Sequence, residues 1–390
     1  MSQFDARSLA ISTSNEIQAL FQRVGHIDSL SPFQSSWFLS AFFAACCQET
    51  GDSLTIHTVE PAGGGAPLLA LPVVHSSRLG VRRAEIAGRD YCDISAPILT
   101  DRFRQQPAAR REAALLCLIN SIGGCDLVRL RNIPQFANGE DNPLFALAAS
   151  EADQTSQLTM PLASTDPERR PSRSAYKECD VKYRKLTEKG YRFHEVLDTA
   201  SRLRVIGELL RLREESFQLR GMPIPDAAQA ETLYRHLILQ DDPHNRLHVL
   251  VISNDDGDIV SGAALVGGGN NVNGSLIGIS GPEWKRYSPG MVLIMKIQDW
   301  AREQGFAYLN FGAGDQAYKE KFGALKVPAA HLVLPRSLLG QGYVMAASLR
   351  SRIAGKDGAP SRGRGALIAT RTTAMTAALQ MDQAGYLIAL

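Results

Sequence analysis

Hydrophobic and polar residues change period many times along this chain, and each stretch of constant period predicts one element. Residues 33–48, FQSSWFLSAFFAACCQ, place Trp37, Phe38, Phe42 and Cys46 at helical spacing behind a Ser-Ser capping pair. Alternation then takes over. SLTIHTVE (53–60) and LLALPVV (68–74) read as strands on either side of the turn PAGGGAP. RRAEIAG near 82–88 and DLVRLRNI near 126–133 add two more strands. Between them, PAARREAALLCLINSIG sets Ala109, Ala113, Leu116 and Ile119 or Asn120 on one helical face.

The second half is more regular. YRFHEV is a short strand, and SRLRVIGELLRLREESFQL is a helix with Leu203, Ile206, Leu210 and Phe217 along one stripe. DAAQAETLYRHLILQ is a second helix. RLHVLVIS, IVSGAALVG and VNGSLIGIS, joined by NDDGD and GGNN, predict a three-stranded antiparallel meander. The loop GPEWKRYSPG leads into the helix MVLIMKIQDWAREQG; a strand AYLNFGAG, a short helix DQAYKEKFG and a strand AAHLVLP follow. A strand, Gly-rich turn and strand occur in both halves, so two rounds of one architecture are expected. The Pro- and charge-rich stretch ASTDPERRPSRS marks the junction. The expected layout is an α/β chain with a mixed sheet: one domain over 1–165, a second over 166–340, and a tail over 341–390 that includes the flexible composition KDGAPSRGRG.

Composition narrows the function. The 390 residues suit about two domains, and 44% hydrophobic with 21% charged residues excludes wholesale disorder. A net charge of +2 supplies no global field for DNA. The exception is local: nine Lys/Arg stand against four Asp/Glu between Glu168 and Arg192, a solvated helix face or a surface turned toward phosphate. Cys46, Cys47, Cys92, Cys117, Cys125 and Cys179 form no CxxC pair and fit neither a zinc set nor a disulfide framework, so no metal is expected. The start MSQFDARSLAIS lacks a basic n-region, and the uncharged runs 29–48 and 259–282 are broken by Pro32 and by GGGNN, so a cytoplasmic protein without membrane spans is expected. His194, His248 and His331 lie on strand patterns and read as packed residues.

The chemistry concentrates between Gly281 and Gly323. Pro289 in a first helical turn costs no hydrogen bond, and Gly290 beside it permits close approach to the backbone. Amides around Ser288, Gly290 and Met291, with Lys285 and Arg286 upstream, would form an anion site at a helix N-terminus; a merely well-capped helix is the other reading. In YLNFGAGDQAYKEKFG, Tyr308, Asn310 and Gly312 share one side of a strand, Asp315 can cap the next helix, and Tyr318 falls on its first turn. From there a tyrosine either packs into the core or protonates a leaving thiolate, since phenol and thiol pKa values are comparable.

These pieces together resemble the CelD/BcsL family of GNAT-type acyltransferases, associated with cellulose and exopolysaccharide biosynthesis, and are similar to the Fem aminoacyltransferases, which pair two GNAT-like halves. The likeness runs through Pro32-Phe33-Gln34 with Trp37, LLALPVV, and Tyr183-Arg184-Lys185-Leu186 with Gly190. It is most specific in Tyr287-Ser288-Pro289-Gly290, Asn310-Phe311-Gly312-Ala313-Gly314-Asp315 and Tyr318-Lys319. Asn310 stands where many relatives carry an acid. The resemblance implies a tandem GNAT fold with acyl-CoA (acetyl-CoA) as co-substrate in the second domain. The pyrophosphate would lie at Ser288, Gly290 and Met291, with Lys285, Arg286 and Tyr287 nearby, and the pantetheine along the strand edge at Leu276 to Ser280, including Ile279 and Ser280. It also implies Tyr318 as general acid, Asp315 as cap or base, and Lys319 and Asn310 toward the acceptor, Lys319 either holding an anionic group or pairing with an acid; Arg213 and Arg220 are further candidate contacts. The implied reaction is direct attack of an amine or hydroxyl, on a sugar or envelope precursor, upon the thioester. The alternatives are an aminoacyl-tRNA donor and a non-catalytic partner of a polysaccharide-synthesis complex.

Overall fold

A computed structural model describes the chain except residues 1–2, 25–26, 149–154, 163–171, 223–225, 241, 243, 314–316 and 355–390; of 27–29, 155, 313, 317–318 and 348–354 only the backbone is described. In chain order the first half runs β1 (Phe4–Ile11), α1 (Ser14–Val24), β2 (Ile27–Ser29), α2 (Ser36–Phe42), β3 (Ser53–Pro61), β4 (Leu69–Arg78), β5 (Val81–Ile86), β6 (Ile98–Thr100), α3 (Asp101–Arg104), α4 (Ala108–Ser121), β7 (Leu127–Pro134), β8 (Phe136–Ala137), β9 (Glu140–Asp141), α5 (Pro143–Ala148) and β10 (Thr155–Pro161). The second half adds α6 (Arg173–Thr187), β11 (Arg192–Glu195), α7 (Thr199–Leu219), α8 (Ala227–Leu239), β12 (Asn245–Ser253), β13 (Ile259–Gly268), β14 (Asn271–Ile279), α9 (Pro289–Glu303), β15 (Tyr308–Ala313), α10 (Ala317–Glu320), β16 (Leu325–Pro335) and α11 (Leu338–Ala354).

Helices start where side chains replace missing backbone acceptors. Ser35 accepts from the Phe38 amide, Asp198 from Ser201 and Asp226 from Gln229. Beyond Phe42 the helix widens into a π-turn over Phe43–Gln48, which buries Cys46 and Cys47. In α4 the buried face is Ala114, Leu115, Leu118 and Ile119, which keeps the expected Ile119 but is rotated from Ala109, Ala113 and Leu116. The i, i+3, i+4 row of larger side chains seats on β1 and β3, and Leu116 is left at the rim, 39% exposed.

Nearly all strands join one sheet in the order β1-β3-β4-β5-β7-β16-β10-β15-β14-β13-β12-β11, with β6 attached to β4 and β2 to β6. The order repeats itself about its centre. β1-β3-β4-β5 are antiparallel neighbours and β7 joins parallel to β5; β11-β12-β13-β14 are antiparallel and β15 joins parallel to β14. The last strand of each round then lies beside the other round: β16 pairs with β7, and β10 with β15. β10 and β16 also pair with each other, so the sheet continues across the junction expected near residue 165. The stretch expected as a tail from 341 begins inside α11, where Tyr343 lies under the Arg83 guanidinium at 4.5 Å.

Two cores follow from this arrangement. One joins the first half to α7, α8 and the face of β12–β14 beneath them; the other packs α6 and α9 on the opposite face with β10 and β15. Polar ties reinforce the first: Trp37 Nε1 donates to the Gln240 carbonyl at 2.9 Å and the Tyr91 hydroxyl to Gln229 Oε1 at 3.3 Å. Cys46, Cys47, Cys92, Cys125 and Cys179 are buried free thiols, and burial pushes Cys47 and Cys92 up to about 12. Among the described residues no group of three or more His, Cys, Asp or Glu is placed to hold a metal, and no helix is long and apolar enough to cross a membrane.

Candidate active site

A fork in the sheet makes the site. β14 and β15 pair in parallel only through Asn271–Asn273 against Tyr308–Asn310, after which they separate. The fork is pinned by three buried side chains: Asn310 Nδ2 donates to Asn273 Oδ1 at 2.8 Å, and Thr159 Oγ1 donates to Asn310 Oδ1 at 2.7 Å. Asn310 therefore clamps the strands, where an acid would leave two carbonyl-type oxygens facing each other. Just beyond it β14 carries a bulge, because Gly274 faces Leu265 while Leu276 already faces Ala264. The extra residue, Ser275, meets the Tyr234 hydroxyl through its carbonyl at 3.1 Å and its Oγ at 2.9 Å. A bulge bends and twists its strand, which helps to turn β14 from β15. β14 stays paired to β13 through Ile279, so its opposite edge past Asn273 has no strand partner among the described residues.

Over that edge lies a cleft of about 830 Å³. Its floor is Ile277, Ile279 and Ser280; one wall is the end of α7 with Leu212, Arg213, Phe217 and Arg220; the other is the start of α9 with Ser288, Gly290, Met291 and Ile294, next to Lys285. Ser288 adopts a left-handed φ of 46°, which turns the chain sharply from the preceding 3₁₀ turn into α9. The amides are not all open: Ser288 donates to the Lys285 carbonyl and Met291 to the Ser288 carbonyl, both at 3.0 Å. The expected trio thus reduces to Gly290, whose amide has no hydrogen-bond partner among the described residues.

Six of the expected donor-site residues, Ile279, Ser280, Lys285, Ser288, Gly290 and Met291, line this cleft together. Arg286 and Tyr287 face away, into a groove of about 630 Å³ against α6, where Lys177, Lys182 and Lys185 gather. Lys182 Nζ reaches from that groove to Ser288 Oγ at 2.9 Å. The basic run thereby touches the start of α9. Asp315 lies outside the described residues, and Tyr318 is placed on α10 with its side chain undescribed. Lys319 is completely buried and donates to the Phe311 carbonyl at 3.1 Å. Burial pulls its amine down to about 8, against the opposing pull of Asp93.

Asp93 had no sequence signature: one acid in YCDIS resembles any loop acid. Ser275 was more legible, since a glycine within a strand pattern, here Asn273-Gly274-Ser275, signals a bulge or a close approach. His248 is a packed residue as expected. Its Nδ1 lies 2.8 Å from Glu195 Oε1, and its ring packs edge-on against those of Trp300 and Phe306.

Residues 173–320 match the family described as "Acetyltransferase (GNAT) domain". The chain thus carries a GNAT-type acyltransferase domain over that span, and such domains generally draw on acyl-CoA. Among solved structures, FemX aligns at a TM-score of 0.54 and 12% identity, covering 83% of this chain and 95% of its own. The C-terminal domain of a putative lysylphosphatidylglycerol synthetase from Agrobacterium fabrum aligns at 0.49 and 12% identity, over 87% and 97% of the two chains. A tandem GNAT protein from the clavulanic acid biosynthesis pathway aligns at 0.44 and 12%, over 84% and 98%. The fold is that of a mixed α/β protein with GNAT-like neighbours. No curated protein matches the chain in sequence.

Proposed function

We propose that this chain moves an acyl group from a CoA thioester directly to an amine or hydroxyl acceptor, and that, as the likeness to the CelD/BcsL family implies, the acceptor is a sugar or another precursor of exopolysaccharide or the cell envelope. One observation carries this: an apolar cleft runs along an unpartnered strand edge and ends at the start of α9. A pantetheine arm needs backbone hydrogen bonds along an extended path and apolar walls beside it. The edge from Gly274 to Ile279 offers the first; Leu212, Phe217, Ile277 and Ile294 offer the second. The diphosphate would meet the Gly290 amide, the positive end of α9 and Lys285. Backbone amides near the Ser275 bulge are candidates to stabilise the oxyanion of the tetrahedral intermediate. Tyr318, on the helix that leaves β15, is proposed to protonate the departing thiolate, and Asp315 to cap that helix or assist as a base. The two rounds of sheet order are read as two GNAT-like units, with the donor site in the second.

Acetyl-CoA and longer acyl-CoAs are expected to raise the melting temperature, because a ligand bound to the native state alone stabilises it by about 2.7 kcal/mol at a concentration of 100 Kd. Differential scanning fluorimetry at millimolar thioester reads this directly. An unmoved transition with every chain length would remove the acyl-CoA donor.

Aminoacyl-tRNA is the alternative donor, and the groove on α6 favours it: Lys177, Lys182, Lys185 and Arg286 surround a single acid, Glu178, that is already paired to Lys182. Stabilisation by aminoacyl-tRNA, with none by CoA esters, is the outcome that would select it.

A further inference from the structure

Asp93 belongs to the first half, yet it is held at the fork of the second. Its backbone carbonyl accepts from Gln157 Nε2, and Gln157 on β10 lies opposite Ala313, the last residue of β15. Lys319 follows six residues after Ala313 and folds back onto the Phe311 carbonyl. Arg213 lines the donor cleft from α7. Both cations act on the Asp93 carboxylate, with Arg131 from β7 as a weaker attraction and Asp90 opposing them. The Tyr234 hydroxyl, which holds the bulge at Ser275, senses both Arg213 and Asp93. One acid therefore lies within electrostatic reach of Lys319 at the fork, Tyr234 at the bulge and Arg213 in the cleft wall.

Its bonding is incomplete. Lys319 spends its hydrogen bond on Phe311, and no ion pair joins it to Asp93. Among the described residues no hydrogen bond reaches the Asp93 carboxylate, although the residue keeps some accessible surface. Burial pushes it up to about 6, with Lys319 and Arg213 restraining the rise. That value suits a group that must accept a proton near neutrality.

We propose that Asp93 is the general base of the transfer, supplied across the sheet by the half of the chain that does not hold the donor. The inference rests on the acyl-CoA reading given above. As the acceptor nitrogen or oxygen attacks the thioester carbonyl, its bond to that carbon forms and its proton passes to an Asp93 oxygen. The carbon–sulfur bond breaks, CoA leaves as thiolate and is protonated, and Asp93 returns its proton to solvent. Lys319 is a positioning residue that keeps the carboxylate ionised.

The test uses the full chain with acetyl-CoA, water as the probe acceptor, and thiol release as the readout. Asp93→Asn is expected to lower release by about 10²-fold or more, while acetyl-CoA still raises its melting temperature as in the unaltered protein. The unaltered protein should lose rate below pH about 6, where Asp93 takes up a proton, and Asp93→Glu should recover part of the rate. Lys319→Met keeps the base but removes a neighbouring positive charge, so the acid limb should move to higher pH. Release by Asp93→Asn within threefold of the unaltered chain, or an acid limb unmoved by Lys319→Met, overturns the proposal and leaves the donor assignment standing. Absence of both stabilisation and release in the unaltered protein overturns the acyl-CoA reading itself, and this proposal with it.

Discussion

Gly290→Phe is expected to abolish the stabilisation that acetyl-CoA gives the unaltered protein, while the protein itself stays folded. A Cβ at this position would lie 2.7 Å from Ile279 Cδ1, the tip of a side chain that can turn aside, and Gly290 has no left-handed φ that would resist a side chain. The fold therefore tolerates the change. The cleft does not, because a phenyl ring at the start of α9 projects into the space between the helix and the floor at Ile279 and Ser280. It would cover the one open amide of that turn. At a ligand concentration of 100 Kd the loss amounts to about 2.7 kcal/mol of apparent stability. Calorimetric titration should show affinity falling by roughly 100-fold, which is that same energy at 1.4 kcal/mol per tenfold. Equal affinity in the variant would place the diphosphate elsewhere.

Gly278→Val is expected to act in the opposite manner, through the fold. A Cβ there would lie 2.9 Å from the Leu209 carbonyl oxygen and 3.0 Å from its Cα, both backbone atoms of α7. Backbone cannot turn aside, so α7 must lift from the sheet, at a cost on the order of 3 kcal/mol. Because α7 also supplies Leu212, Arg213 and Phe217, donor binding should weaken as well. Gly207→Ala provides the contrast on the same helix: nothing lies within 4 Å of its Cβ, and the exchange should stabilise by about 0.5–1 kcal/mol. Chemical denaturation of the two variants should show midpoints moving in opposite directions. Similar midpoints would mean that α7 sits less closely on β14 than these distances require.

Period and turn chemistry made the antiparallel meander legible, because β12, β13 and β14 alternate and are joined by NDDGD and GGNN. The segment Tyr287–Gly290 was legible for a local reason too, since Ser-Pro-Gly before an apolar run describes a helix start without other context. What no local pattern carried was pairing between distant strands. β10 and β16 are ordinary short runs, and only the assembled sheet shows each lying beside the other round. The same limit hid Asp93, whose surroundings come from Arg213, Tyr234 and Lys319, at least 120 positions away. It also hid the partners of Asn310. Read singly it was a missing acid, whereas its amide fits Asn273 and Thr159 on both flanking strands.

The reciprocal placement of β10 and β16 has a bearing on engineering. Each round of the sheet is closed by a strand encoded in the other, like two people holding one another's wrists. A fragment ending near residue 165 would leave one edge of β7 without β16, and one beginning there would leave one edge of β15 without β10. Neither piece should persist alone, while co-expressed pieces should find each other and restore the whole. The exchange of closing strands makes the two rounds a single cooperative unit.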